Sequence, residues 1–169
     1  MAVPTFPAGS PIVSADLLYM MATKPLFMGY ASASQGPFSP LLNQPLGIDV
    51  EIIDRGAMHS PGSSQVSIGH ALGWYRVTGF VAFSVTVTTG IAAWVALNGY
   101  NGIVSDYTTS NASGPAGTFP TANVDAIVQS TSETDYVEIR AFQNNIGTTT
   151  ASTLGSGQGA MICVEFLGT

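Results

Sequence analysis

The amino-acid sequence predicts an all-β sandwich preceded by a short N-terminal arm. From Pro25 onward, short runs of β-branched and aromatic residues are separated by Gly, Pro and Asn, as strands and turns are. Three of the longest runs alternate apolar with mixed side chains at a period of two. We count about eight such strands, the number of a jelly roll, and expect one jelly-roll domain over residues 25–169.

Residues 1–24 differ in composition and predict an arm. Pro4, Pro7 and Pro11 keep its first dozen residues extended. Ser14 can cap a short helix over residues 14–22, which is too short to be helical alone in water. Its apolar side chains must therefore dock, either on the chain's own sandwich or on another subunit; they are Leu17, Leu18, Met20 and Met21.

Eight segments of the remaining chain read as strands. They cover residues 25–33, 46–54, 64–69, 73–84, 91–98, 122–129, 135–143 and 159–167. The pairs Asn98-Gly99 and Asn101-Gly102 are turn dipeptides that close the strand ending at Leu97. The stretch from Thr108 to Pro120 reads as a long surface loop or a weakly paired strand.

The strand from Gly73 to Ser84 is the longest and carries the first indication of function. One side presents Tyr75, Val77, Val81 and Phe83, while the other presents Trp74, Arg76, Thr78, Phe80 and Ala82. Large aromatic side chains beside a cation indicate a second face that a partner covers. Two later strands repeat the arrangement. The mixed side of the first carries Tyr136, Glu138, Arg140 and Phe142, and the mixed side of the second carries Met161, Cys163, Glu165 and Leu167. We expect the three strands to share one dry face and one mixed face.

Charge and cysteine content exclude several classes of protein. Charged residues make up 8% of the 169 residues, against about 25% in ordinary soluble proteins. The net charge of −6 repels phosphate backbones and anionic lipids, so we expect neither nucleic acid nor membrane as a partner. Cys163 is the only cysteine and reads as a small buried hydrophobe. No signal peptide is visible, so synthesis in the cytoplasm is expected.

The sequence offers no arrangement of catalytic or cofactor-binding residues. His59 and His70 read as loop residues, and Asp49 and Glu51 read as the polar face of one strand. The glycine-rich run 155–159 lacks the lysine and helix of a phosphate loop and reads as a flexible turn. We therefore expect no enzyme, no metal and no cofactor.

The order of the strand motifs is similar to that of a known family. GWYRVTGFVAFS, a strand ending in LNGY, DYVEIRAFQN and a closing AMICVEFLG resemble the trimeric jelly-roll heads of complement and tumour-necrosis-factor-like proteins. They resemble more closely the versions carried by tailed bacteriophages, as do KPLFMGYASASQ and IDVEIIDRG upstream. The arm, with FPAG followed by IVSA and a helix, resembles the start of phage fibre and head proteins.

The resemblance implies a homotrimer assembled through an inner sheet that contains all three mixed strands. Arg76 and Arg140 would then pair with Glu138 and Glu165 near the threefold axis. The alternative is that these charges form a solvated face on a monomer. The implied trimer interface consists of Trp74, Arg76, Phe80, Tyr136, Glu138, Arg140, Phe142, Met161, Cys163 and Glu165.

Two functions follow from the resemblance, and both are virion functions. In the first, the protein is a capsid decoration (cement) protein on the surface of a phage head, with an arm that contacts the major capsid protein. That arm would anchor through Phe6, Ile12, Leu17, Leu18 and Met21. In the second, it is a receptor-binding fibre head that binds host-surface glycan through Tyr100, Asp106, Tyr107 and Phe119. A cytokine-type ligand is a third reading, which the lack of a secretory signal and a disulfide disfavours.

Overall fold

A computed structural model describes residues 25–39, 41–84, 91–99, 106–107, 120–143 and 152–169, with 106–107 described as backbone only. The described residues form ten strands in two antiparallel sheets. The strands are β1 (Pro25–Tyr30), β2 (Gln44–Pro45), β3 (Val50–Asp54), β4 (Val66–Ser67), β5 (Gly73–Ala82), β6 (Ile91–Leu97), β7 (Asp106–Tyr107), β8 (Thr121–Ser130), β9 (Tyr136–Gln143) and β10 (Ala160–Gly168). Within these residues no helix is long and apolar enough to cross a membrane.

The larger sheet has six strands in the order β3-β1-β10-β5-β8-β7. In its middle, β5 pairs with β8 along its whole length, from Gly73 opposite Ser130 to Ala82 opposite Thr121. In the smaller sheet, β9 pairs with β6 along one edge, and the short strands β2 and β4 pair with β9 at different positions. These pairings place β5 and β9 at the centres of opposite sheets.

The core lies between the two sheets because the alternating strands turn their apolar sides toward each other. Tyr75 and Val77 of β5 are buried in the same cluster as Val137 and Ile139 of β9. Gly79 allows this close approach, since a Cβ there would overlap the Ile139 side chain. The Tyr75 hydroxyl donates a hydrogen bond to the Ala71 carbonyl at 2.7 Å, and burial raises the pKa of Tyr75 to about 12.

Each of the eight predicted strand segments overlaps an observed strand, and two of the observed strands are much shorter than predicted. The segment 46–54 is strand only from Val50, and the segment 64–69 only at Val66–Ser67. Two short strands, β2 and β7, were not predicted. The arm 1–24, its helix 14–22, Asn101-Gly102 and almost all of the Thr108–Pro120 stretch lie outside the described residues.

The turn predicted at Asn98-Gly99 is confirmed. Asn98 and Gly99 have φ values of 54° and 68°, the left-handed conformation that this dipeptide tolerates. The Asn98 side chain donates to an Asp135 carboxylate oxygen at 2.8 Å and accepts the Tyr136 N–H at 3.0 Å. The turn therefore also connects the end of β6 to the start of β9.

The expectation that the three mixed strands share one sheet is wrong. β5 and β10 are neighbours in the six-stranded sheet, whereas β9 lies in the opposite sheet. Their apolar sides do share one core, but they approach it from opposite directions. The mixed sides of β5 and β10 therefore face away from the mixed side of β9.

Candidate assembly interface

The outward side of the six-stranded sheet carries several exposed large apolar side chains, and we name the part of it formed by β8, β5 and β10 the β5 face. It is defined by Asp125 and Ile127 of β8, Trp74, Arg76 and Phe80 of β5, and Met161, Cys163, Glu165 and Leu167 of β10. Six of the ten residues predicted for a trimer interface lie here: Trp74, Arg76, Phe80, Met161, Cys163 and Glu165. The structure thus brings together only part of the predicted set.

Exposed apolar side chains gather at one end of this face. Trp74, Ile127 and Leu167 are 44%, 59% and 41% exposed, and Leu72, just before β5, is 49% exposed. They lie close together because Arg76 is opposite Ile127 on one side, while Trp74 is opposite Gly168 on the other. A cluster of large exposed side chains of this kind is typical of a protein contact surface.

A bidentate ion pair lies beside this cluster. Arg76 donates from Nε to Asp125 Oδ1 at 2.9 Å and from Nη2 to Oδ2 at 2.6 Å. The hydrogen bond to Arg76 holds the pKa of Asp125 below its ordinary value, and the same bond raises the pKa of Arg76. Both side chains are about half exposed, so the pair neutralises charge on the β5 face but adds little to stability.

The middle of the β5 face is more apolar and more buried. Phe80 and Met161 are opposite each other and half-buried, and Cys163 is buried. Burial raises the pKa of the Cys163 thiol, and the nearby Glu165 carboxylate raises it further. The thiol is therefore protonated at neutral pH, and Cys163 packs as the small hydrophobe that the sequence predicted.

The other four predicted interface residues lie on the outward side of β9, together with side chains of β6. This β9 face is defined by Tyr136, Glu138, Arg140 and Phe142 of β9 and Ala92, Trp94 and Ala96 of β6. Arg140 Nε donates to Glu138 Oε1 at 2.6 Å, so these two charges pair within one chain. A single contact across the β5 face cannot include them, because the core separates the two faces.

The β9 face is largely covered within the chain. The Arg140 and Glu138 side chains are 13% and 3% exposed, and Arg140 also donates to the Asn43 side chain at 2.9 Å. Trp94 packs against Phe142 with ring centroids 6.0 Å apart and is buried, and its Nε1 has no hydrogen-bond acceptor within the described residues. Trp94 was not among the predicted residues, because IAAWVAL is apolar throughout and shows no alternation.

The remaining predicted residues fall in three groups. His59 is in a loop, as expected, with both ring nitrogens in hydrogen bonds. Asp106 and Tyr107 form β7, described only as backbone, and Tyr100, Phe119 and the arm residues lie outside the described part of the chain. Across the described ranges, no group of three or more His, Cys, Asp or Glu residues could hold a metal ion.

Comparison with known proteins identifies the fold. No protein-family model matches the sequence, and no curated protein matches it significantly. Among solved structures, the globular domain of zebrafish complement 1qA protein is 12% identical, with 85% of this chain and 98% of that chain covered and a TM-score of 0.57. Murine APRIL in a crystal structure at pH 5.0 is 13% identical, with 83% and 98% covered and a TM-score of 0.50. These matches confirm the predicted jelly roll of the complement and tumour-necrosis-factor type.

Proposed function

We propose that the protein is a non-enzymatic structural protein that forms homotrimers through the β5 face. The observation that carries the proposal is the exposed cluster of Leu72, Trp74, Ile127 and Leu167 beside the neutralised Arg76–Asp125 pair. Apolar side chains around a paired charge are suited to burial against another protein, since no unpaired cation has to be desolvated. The similarity to trimeric jelly-roll heads supports a second copy of the chain as the partner.

Burial in the trimer would also explain why the middle of the β5 face is apolar. Phe80, Met161 and Cys163 extend the exposed cluster along β5 and β10 toward the other end of the sheet. Stable obligate interfaces bury more than about 2,000 Å² and are apolar at their centre. Glu165 makes no ion pair among the described residues, so in the trimer it is available to a partner's donor.

The finer proposal is that the trimer is a decoration protein on a bacteriophage head. The sequence resemblance to phage jelly rolls supports it, and so does the arm, with Phe6, Ile12 and the apolar residues of 14–22. A single domain with a short apolar arm suits a protein that lies on a shell surface and contacts it through the arm. In this proposal the arm contacts the major capsid protein, and the trimer stabilises the shell.

The mass of the protein in solution tests the trimer. Light scattering on the full chain should give three times the chain mass, and Ile127→Glu should reduce it to that of a monomer by placing charge inside the contact. Leu42→Glu is the matched control, because Leu42 is 54% exposed and lies just before β2 of the smaller sheet, outside the β5 face. A monomeric unmodified chain, or equal effects of the two variants, would exclude this interface.

Deletion of residues 2–22 tests the anchoring role of the arm. The shortened protein should remain a trimer but fail to bind undecorated heads in a sedimentation assay. Saturation of the heads by the shortened protein would show that the arm is not the anchor. Cryo-electron microscopy of the particle would locate the protein. Density only at the tail end would contradict decoration and favour the receptor-binding fibre head.

A further inference from the structure

A polar cleft of about 340 Å³ opens where the loop after β3 meets the start of β9. One wall is formed by the loop, with Ser60 and Gln65, and continues to Ser67 on β4. The opposite wall is formed by Thr134 and Tyr136. The cleft lies at the side of the sandwich where β3 and β4 end their sheets, away from β8, β5 and β10.

The loop wall is fixed by hydrogen bonds within the chain. The Asp54 carboxylate accepts the N–H groups of Met58 at 2.8 Å and His59 at 3.2 Å. The His59 side chain is buried, with Nδ1 at 2.8 Å from Glu51 Oε1 and Nε2 at 3.0 Å from the Ser63 carbonyl oxygen. Its ring also packs on Phe27, with centroids 5.0 Å apart. A ligand would therefore meet a wall that is already ordered, which lowers the entropic cost of binding.

Several polar groups in the cleft are available to a ligand. The hydroxyls of Ser60 and Ser67 and the Gln65 amide make no hydrogen bond to the described part of the chain, whereas the Tyr136 hydroxyl lies against Gly99 and only the ring borders the cleft. Each hydroxyl can both donate and accept, and the amide offers one acceptor and two donors. This combination matches a ligand that itself carries hydroxyl groups.

The side chains that line the cleft include no aspartate, glutamate, lysine or arginine. The lining His59 is hydrogen-bonded to Glu51, and the Glu138 carboxylate, which accepts the Ser64 hydroxyl, is paired with Arg140. Asp135, next to Tyr136, accepts hydrogen bonds from Asn98 and from the Thr131 and Ser132 N–H groups, and the bond from Asn98 is the main cause that lowers its pKa. A phosphate or carboxylate ligand would find no cation, so the lining favours an uncharged ligand.

We propose that this cleft binds a neutral saccharide unit. The volume is at the small end of the range for small-molecule sites, and the lining combines hydroxyls, one amide and the Tyr136 ring. The site is built within one protomer and lies outside the β5 face, so it does not depend on trimer formation or on decoration. Loss of the trimer in solution would leave this proposal intact, and loss of saccharide binding would leave the trimer intact.

Saturation-transfer NMR on the full chain tests the proposal, with the methyl glycosides of glucose, galactose and mannose as probes. At least one should give signal with a Kd on the order of 1 mM, as suits a small open site. The double variant Gln65→Ala, Ser67→Ala removes two of the available polar groups and should weaken binding about tenfold. Gln158→Ala is the control, an exposed amide in the loop before β10 that lies outside the cleft and the β5 face and should change nothing.

Three results would overturn the assignment. The first is no transfer to any of the three glycosides. The second is equal signal from the double variant and the Gln158→Ala control, which would place binding elsewhere. The third is preferential binding of methyl glucuronide, because a charged ligand contradicts the neutral lining. Thermal melting of each variant confirms that it is folded.

Discussion

The two outward faces of the sandwich have similar side chains, but those of the β9 face are covered within the chain and those of the β5 face are exposed. Each carries a tryptophan and an arginine–carboxylate pair, which joins β5 to β8 on the β5 face and lies within β9 on the β9 face. On the β5 face, Trp74 is 44% exposed and the Arg76 and Asp125 side chains are 47% and 55% exposed. On the β9 face, Trp94 is 8% exposed and the paired side chains are 13% and 3% exposed. Residue types alone therefore do not identify a contact surface, whereas the exposure of the same residue types does.

This difference has an energetic consequence. A buried arginine–carboxylate pair is costly to break because the remaining charge stays desolvated, whereas an exposed pair is replaced by water. Substitutions on the β9 face should therefore change the stability of each subunit. Substitutions on the β5 face should leave subunit stability nearly unchanged and affect association instead.

The largest expected effect is that of Trp94→Ala. Removal of a buried indole should lower the free energy of unfolding by about 3–5 kcal/mol. Trp74→Ala, on the exposed face, should change it by less than about 0.5 kcal/mol once the subunits are dissociated. Urea unfolding at low protein concentration measures both, and similar losses for the two variants would contradict the distinction between the faces.

The paired charges should show the same contrast with a smaller amplitude. Glu138→Gln keeps a group that can accept the Ser64 hydroxyl but leaves Arg140 without its counter-charge, and should cost about 3 kcal/mol. Asp125→Asn breaks the exposed pair with Arg76 and should give little measurable change in unfolding. Repeating the unfolding measurement in added salt distinguishes the two pairs, since salt should screen only the exposed pair.

The smallest expected effect concerns acid stability, where two carboxyls with lowered pKa values differ in cause. Arg76 lowers the pKa of Asp125, while hydrogen bonds, that of Asn98 foremost, lower the pKa of Asp135. A carboxyl whose pKa is lower in the folded protein stabilises it fully above the unfolded value, near 3.8. That stabilisation is lost as the pH falls through the folded value. Asp135→Asn should reduce the fall in melting temperature below this pH at any salt concentration. Asp125→Asn should reduce it only at low salt, because salt screens the exposed pair with Arg76.

The strands could be predicted from the sequence more reliably than the interface. Alternation in GWYRVTGF and in DYVEIRAFQ identified β5 and β9 and the residues of each that face the core. It could not identify the sheet to which each strand belongs, because a period of two describes the strand's own two sides. The ten-residue interface prediction therefore combined side chains from two opposite faces.

Trp94 and the cleft were beyond sequence reasoning for different reasons. β6 is apolar at every position, so nothing in its sequence separates the core side from the β9 face. The cleft joins Gln65 with Tyr136, which are far apart in the chain and come together because β4 pairs with the start of β9. Neither the face on which Trp94 lies nor the cleft could therefore be predicted from a local stretch of sequence.

The sequence by itself determined the fold class, most strand positions, the Asn98-Gly99 turn and the packing role of Cys163. These follow from local preferences, which are the alternation of side chains, the tolerance of Asn and Gly for positive φ, and the burial of an unpaired thiol. Tertiary structure alone decided that Arg76 pairs with Asp125 and that Arg140 pairs with Glu138 inside the chain. It also decided which face remains exposed, because sheet order and burial arise from contacts between residues distant in sequence.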